Sequence, residues 1–116
     1  MHLRVNYVSV TESGDYNQVA FDTTDPADGS TITDSPYLLI QRQFENSDDR
    51  YCYLESHDER FIGHFRLRLT VFNTKRLEFV IRRKFNRCVN LSFELNRAQF
   101  KEVARVIDII FDRSEA

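Results

Sequence analysis

Between Phe61 and Val71 the chain alternates strictly enough to leave one backbone conformation open to it. Phe61, Gly63, Phe65, Leu67, Leu69 and Val71 share one parity, and His64, Arg66, Arg68 and Thr70 share the other. Side chains of a strand point to opposite faces in turn, so this stretch reads as a half-buried strand with a basic outer surface. Leu77, Phe79 and Ile81 resume the apolar parity after the turn Asn73-Thr74-Lys75, which makes the two runs a hairpin. With that turn, the inward pairs are 71:77, 69:79 and 67:81, and the outward pairs are 70:78, 68:80 and 66:82. A slip of one residue would put every apolar group in water, so the parity is strongly specified.

The same period runs through most of the chain. A first strand is expected over 2–10 and, after the turn Glu12-Ser13-Gly14-Asp15, a second over 16–21. Further strands are expected over 37–44, 50–55 and 89–95. Residues 22–36 read as a long loop, with the turn dipeptides Asp25-Pro26 and Asp28-Gly29. At Asn96 the period changes from 2 to 3.6. Asn96 and Gln99 form a capping box, and Leu95 and Phe100 occupy the positions of a hydrophobic staple. Phe100, Val103, Ala104, Ile107, Ile110 and Phe111 fall on one helical stripe, with Val106 and Ile109 at its flanks. The expectation is a single α+β domain over residues 1–116. It has an antiparallel, strongly twisted sheet of about six or seven strands, with one C-terminal helix packed on it. A pleckstrin-homology-like roll is the alternative architecture, and it carries no functional implication.

A chain of 116 residues can hold one core without disulfide staples. With 10 Phe and 5 Tyr it is too rich in large apolar groups to be disordered. The opening MHLRVNYVSV lacks the unbroken apolar stretch of a signal peptide, and no run approaches a membrane span. Cys52 and Cys88 fit a reduced, cytoplasmic protein at least as well as one bridged pair, and the plainer reading is two semi-buried free thiols.

Charge is distributed unevenly. Residues 1–59 carry three basic and twelve acidic groups, a net of −9, whereas residues 60–87 carry nine basic groups against Glu78 alone, a net of +8. Such asymmetry concerns surface potential and partners rather than fold. In the hairpin register, Arg66 stands opposite Arg82, an unfavourable juxtaposition. Arg68 has Glu78 on the diagonal, and Arg76 is within reach of Glu94 if the last hairpin pairs 78 with 92. Two readings stay open: an acidic segment of the chain covers Arg66 and Arg82, or an external anion does. Arg66, Arg68 and Arg82, with Phe72 read as exposed, suit single-stranded nucleic acid, although the net charge of −2 opposes it.

Catalytic and metal motifs are missing. His57 and His64 lack the compact spacing of zinc ligands, and no cofactor is expected. Ser56, His57 and Asp58 are consecutive, and neighbours in one turn cannot form a relay. No enzymatic activity is expected.

Three stretches together resemble a known family. They are Tyr37-Leu38-Leu39-Ile40-Gln41-Arg42, the hairpin from Gly63-His64-Phe65-Arg66-Leu67-Arg68 through Leu77-Glu78-Phe79, and Leu91-Ser92-Phe93-Glu94-Leu95 leading to Phe100 and Ile110-Phe111. They look like the immunity-protein-10 family of bacterial polymorphic-toxin systems over roughly residues 20–112. The resemblance implies a non-catalytic cytoplasmic protein that binds and neutralises a cognate toxin, such as a nuclease. The acidic residues Asp22, Asp25, Asp28 and Asp34 of the long loop, with Asp48 and Asp49 of the neighbouring turn, are then the expected toxin-facing groups. Their charge would speed encounter with a basic surface.

Overall fold

A computed structural model of the chain describes residues 1–25, 35–43, 51–82 and 87–111. The strands are β1 (His2–Arg4), β2 (Tyr7–Glu12), β3 (Tyr16–Asp22), β4 (Tyr37–Gln43), β5 (Cys52–Ser56), β6 (Gly63–Phe72), β7 (Arg76–Arg82) and β8 (Arg87–Ser92). The helix α1 (Arg97–Ile110) follows, and a short 3-10 turn (Glu59–Phe61) precedes β6. The fold is therefore α+β, with one sheet of eight strands in the order β1-β8-β7-β6-β5-β4-β3-β2. Asp28, Asp34, Asp48 and Asp49 lie outside the described residues.

Two expectations about this sheet are corrected. It has eight strands rather than six or seven, and it is mixed rather than purely antiparallel. Both corrections have one origin. The expected first strand breaks at Val5-Asn6. Its first part pairs parallel to β8 (Leu3 with Leu91) and its second pairs antiparallel to β3 (Val10 with Val19). The ends of the sheet order are thus adjacent in the chain, and the sheet must curl until they meet. Val5 N donates to Ser92 O at 2.7 Å, and the next residue, Asn6, donates to Asp22 O at 3.0 Å. One residue therefore passes the chain from one end of the sheet to the other. The parallel pairing follows from parity. From β2 to β8 the chain runs as a seven-strand antiparallel meander, so its last strand runs in the direction of its first. β1 continues into β2 and shares that direction.

β6 bridges the two halves of the curl. Its beginning pairs with β5 (Cys52 with Phe65) and the rest pairs with β7. Arg66 opposite Arg82, and the pairs 67:81, 68:80 and 69:79, are as expected. Beyond Leu69 the register shifts, and the pairs 71:77 and 70:78 give way to Val71 with Glu78 and Phe72 with Leu77. Thr70 is the extra residue of this bulge, and its hydroxyl donates to Glu78 O at 3.0 Å. The shift reverses parity for the last residues of β6. Phe72, expected outside, turns onto the helix and stacks on Phe100 at 5.0 Å between ring centroids.

The core follows the alternation. Val19, Phe21, Leu38, Ile40, Leu54, Leu77, Phe79, Ile81, Val89 and Leu91 are all but inaccessible. Helix α1 closes it with Val103, Val106, Ile107 and Ile110. Val106, read as a flank, is fully buried, whereas Phe100 at the heart of the expected stripe is only partly covered. The capping box is present as read: Asn96 Oδ1 accepts from Gln99 N at 2.8 Å, and Gln99 Oε1 accepts from Asn96 N at 3.0 Å. At the other end of α1, Arg42 donates to the carbonyls of Ile109 and Ile110, at 3.4 and 3.2 Å. A cation thereby meets the negative end of the helix dipole.

Candidate functional site

Phenylalanine and tyrosine part company in this fold. Phe21, Phe61, Phe65, Phe79 and Phe93 are buried, while all five tyrosines of the chain leave the core. Tyr7 on β2, Tyr16 on β3, Tyr37 on β4 and Tyr53 on β5 have the outward parity of their strands. Tyr51, one residue before β5, shares the parity of Tyr53. The reason is chemical: a phenol buries its ring only at the cost of giving its hydroxyl a partner, and the outer surface spares that cost.

Pairing and side-chain contacts link Tyr7, Tyr37 and Tyr53 on this face, while Tyr16 stands opposite Gln43 at the other end of β3. Tyr7 stands opposite Asp22, and Asp22 opposite Tyr37. Tyr37 N donates to His57 Nδ1 at 3.1 Å, and the two rings lie 6.4 Å apart. Tyr53 stands opposite His64, with rings 5.3 Å apart. The hydroxyls of Tyr37 and Tyr53 donate to opposite oxygens of the Glu55 carboxylate, at 3.3 and 3.2 Å. Desolvation, then the charge of Glu55, holds both phenols above their ordinary range, so they remain donors at neutral pH. Partial burial also raises the carboxyl of Asp22. Among the described residues, the ion pairs are Arg60 with Asp58, Lys75 with Glu94, and Arg105 with Glu12. Neither Asp22 nor Glu55 is in one.

The patch ends in the basic hairpin. The Arg66 guanidinium lies over the Tyr51 ring, 5.3 Å from its centroid, within the range of a cation–π contact. Arg66, Arg68 and Arg82 are exposed, and none forms an ion pair among the described residues. Of the two readings for Arg66, the described residues therefore supply an aromatic ring rather than a carboxylate. Glu94, expected to meet Arg76, is instead bonded by Lys75 at 3.0 Å, because Arg76 pairs with Ser92 and stands further along the ladder.

Of the expected acidic groups, two lie in the described residues. Asp22 is the last residue of β3 rather than part of the loop, and it sits between Tyr7 and Tyr37. Asp25 is exposed and, with Tyr7, Val8, Phe93 and Leu95, lines a cavity of about 220 Å³ near the seam between β2 and the β8–α1 connection.

The histidines occupy the places expected of them, His64 outward on β6 and His57 in the turn after β5. Ser56 Oγ contacts His57 Nδ1 at 3.3 Å. The Asp58 carboxylate is taken up by Arg60, at 3.1 Å to Nε and 2.7 Å to Nη2. Hydrogen bonding from Arg60 lowers its pKa to about 2. The three consecutive residues thus form a bonded turn. Among the described residues no three His, Cys, Asp or Glu side chains converge as a metal site would require. Both cysteines are free, Cys52 buried and Cys88 exposed.

Sequence reasoning found the arginines of this patch but not its tyrosines. Their common parity was legible in each strand separately. Their assembly depends on which strands are neighbours and in what register. No protein-family model matches the chain, and no curated protein and no solved structure was found to match it.

Proposed function

We propose that the chain is a non-catalytic binding protein of the immunity type, which captures and neutralises a partner toxin through the outer face of β2–β5. The observation that carries this reading is the gathering of Tyr7, Tyr37, Tyr51 and Tyr53 there, with Asp22 and Glu55 among them and Arg66 at their margin. Tyrosine and arginine are the residues most enriched where partners bind, because they offer large contact area with few rotors and a polar tip. Among the described residues no cation pairs with the two carboxylates, which favours a basic protein over a polyanion on this part of the face. The acidic residues Asp25, Asp28, Asp34, Asp48 and Asp49 belong to the same proposal as steering groups. The curl of the sheet, with α1 over its core, is taken as the roll that the sequence offered as its alternative architecture. A cytoplasmic site of action goes with the reading.

The test is isothermal titration with the purified product of the adjacent gene. A saturable complex is expected, and Tyr7→Ala and Tyr51→Ala should each weaken it about tenfold or more, the range of an interface anchor. Thermal unfolding should be unchanged, since both side chains are exposed. Absence of a complex, or one indifferent to these substitutions, would refute the assignment of the surface.

A second reading is favoured by one contact. Arg66 stacked on Tyr51, with Arg82 opposite and Arg68 nearby, offers an aromatic and cationic platform for single-stranded nucleic acid. Fluorescence anisotropy with a labelled oligothymidine discriminates: saturable binding at physiological salt, lost in Arg82→Glu, would support it.

A further inference from the structure

We propose that the Glu55 carboxylate, clamped between the hydroxyls of Tyr37 and Tyr53, is the receptor for one arginine side chain of the partner protein. This rests on the reading of the tyrosine face as the contact surface and adds to it the chemistry of one anchor.

The geometry is that of a carboxylate fixed for two-point recognition. Tyr37 bonds Oε2 from β4 and Tyr53 bonds Oε1 from β5 itself, so neither oxygen is free to rotate away. An ionised carboxylate has about four lone-pair sites, and the two phenols use one on each oxygen. One acceptor site remains on each, which is the pair that a guanidinium fork satisfies with two parallel N–H donors. Each phenol ring is itself supported by a histidine ring, His57 beside Tyr37 and His64 beside Tyr53. Asp22, directly opposite Tyr37 in the ladder, adds a second negative charge to the row. No cation of the described residues pairs with either carboxylate. An ammonium would satisfy the charge but supplies no planar fork, so arginine is preferred to lysine.

The experiment is an NMR titration of the full chain with three capped tripeptides, Gly-Arg-Gly, Gly-Lys-Gly and Gly-citrulline-Gly. Citrulline keeps the shape of arginine and removes its charge. The arginine peptide should shift the ring signals of Tyr37 and Tyr53 and the side-chain carboxyl signal of Glu55. The lysine peptide should bind more weakly, and the citrulline peptide should leave these signals in place. Glu55→Gln, which keeps acceptor and shape, should weaken the arginine peptide about tenfold or more. Tyr37→Phe with Tyr53→Phe releases the carboxylate and should erase the preference for arginine over lysine. It also serves if Glu55→Gln does not fold. Equal shifts from arginine and citrulline, or unchanged affinity in Glu55→Gln, would overturn the proposal. The two readings fail separately. If Glu55→Gln leaves toxin affinity intact while Tyr7→Ala and Tyr51→Ala reduce it, the arginine receptor is wrong and the docking face stands. If no substitution on the face matters, the docking face itself is wrong.

Discussion

At the scale of single residues, the two cysteines show how burial divides chemically identical groups. Cys52 lies under the end of α1, its Sγ 3.6 Å from Ile110 O, and burial pushes its thiol up to about 11. Cys88 is exposed and bonds a Glu78 oxygen at 3.1 Å; that bond first, then desolvation, raises its pKa. A thiol-specific reagent at pH 8 should therefore modify Cys88 and reach Cys52 only on unfolding. Linkage gives a second expectation. Cys52 releases its proton near 9 when unfolded and near 11 when folded, so its contribution is complete below 9 and is lost as the pH rises to about 11. The loss is of order 2–3 kcal/mol, at about 1.4 per pKa unit. Denaturation curves from pH 8 to 11 should show this component of the slope missing in Cys52→Ala, which has no thiol to ionise. For Asp58 the sign is reversed. Its lowered pKa stabilises the fold above the ordinary carboxylate range, and that contribution is lost as the pH falls towards about 2.

At the scale of elements, β6 and α1 carry the sharpest expectations. Between Arg66 and Phe72, Thr70 is the one residue that the β7 ladder skips. Deleting it should leave every described pair in place, and the protein should fold. Deleting Arg68 instead would turn the residues before it to the opposite face, and the protein should fail to fold cooperatively by circular dichroism. On α1, the order of importance departs from the simple stripe. Ile107 is fully buried, so Ile107→Ala should cost about 2–5 kcal/mol in chemical denaturation. Phe100 is half-covered and shares its ring contact with Phe72, so Phe100→Ala should cost less than the roughly 3–5 kcal/mol of a fully buried phenylalanine. The cap and the apolar period of this helix were legible because both are local. The rotation of its buried face towards Val106 was not, because it depends on what lies beneath.

At the scale of the molecule, the seam at Val5-Asn6 is the feature on which the shape depends. Val5 is buried, and its N–H is bonded across to Ser92. Proline at that position keeps an apolar side chain but removes the donor. Val5→Pro should lower the melting temperature, and hydrogen exchange should quicken together at Asn6 and along the β1–β8 ladder while the β3–β4 ladder stays protected. Uniform loosening of the whole sheet would show instead that the seam is not a separate unit of stability. The closure also explains where the tyrosine face lies. Curling the sheet puts its apolar face inside around α1 and leaves the opposite face convex and outermost, which is where the tyrosines stand.

Much of this was written in the sequence, and for a local reason. Period-2 alternation assigns each residue to one side of a strand regardless of its neighbours, which separates Phe79 from Arg82 and Ile40 from Gln41. The change of period at Asn96 marks the helix in the same way. The turn Asn73-Thr74-Lys75, the opposition of Arg66 and Arg82 and the capping box all lie within a few residues of their cause. Only the tertiary structure decided the rest. That β1 joins β8 in parallel depends on the number of strands between them. That Phe72 turns inward depends on a single unpaired residue. That Glu55 lies between two phenols depends on the register of β4 against β5. Side of strand is a property of one segment, whereas neighbourhood across a sheet is a property of several, and the tyrosine face is built from neighbourhood.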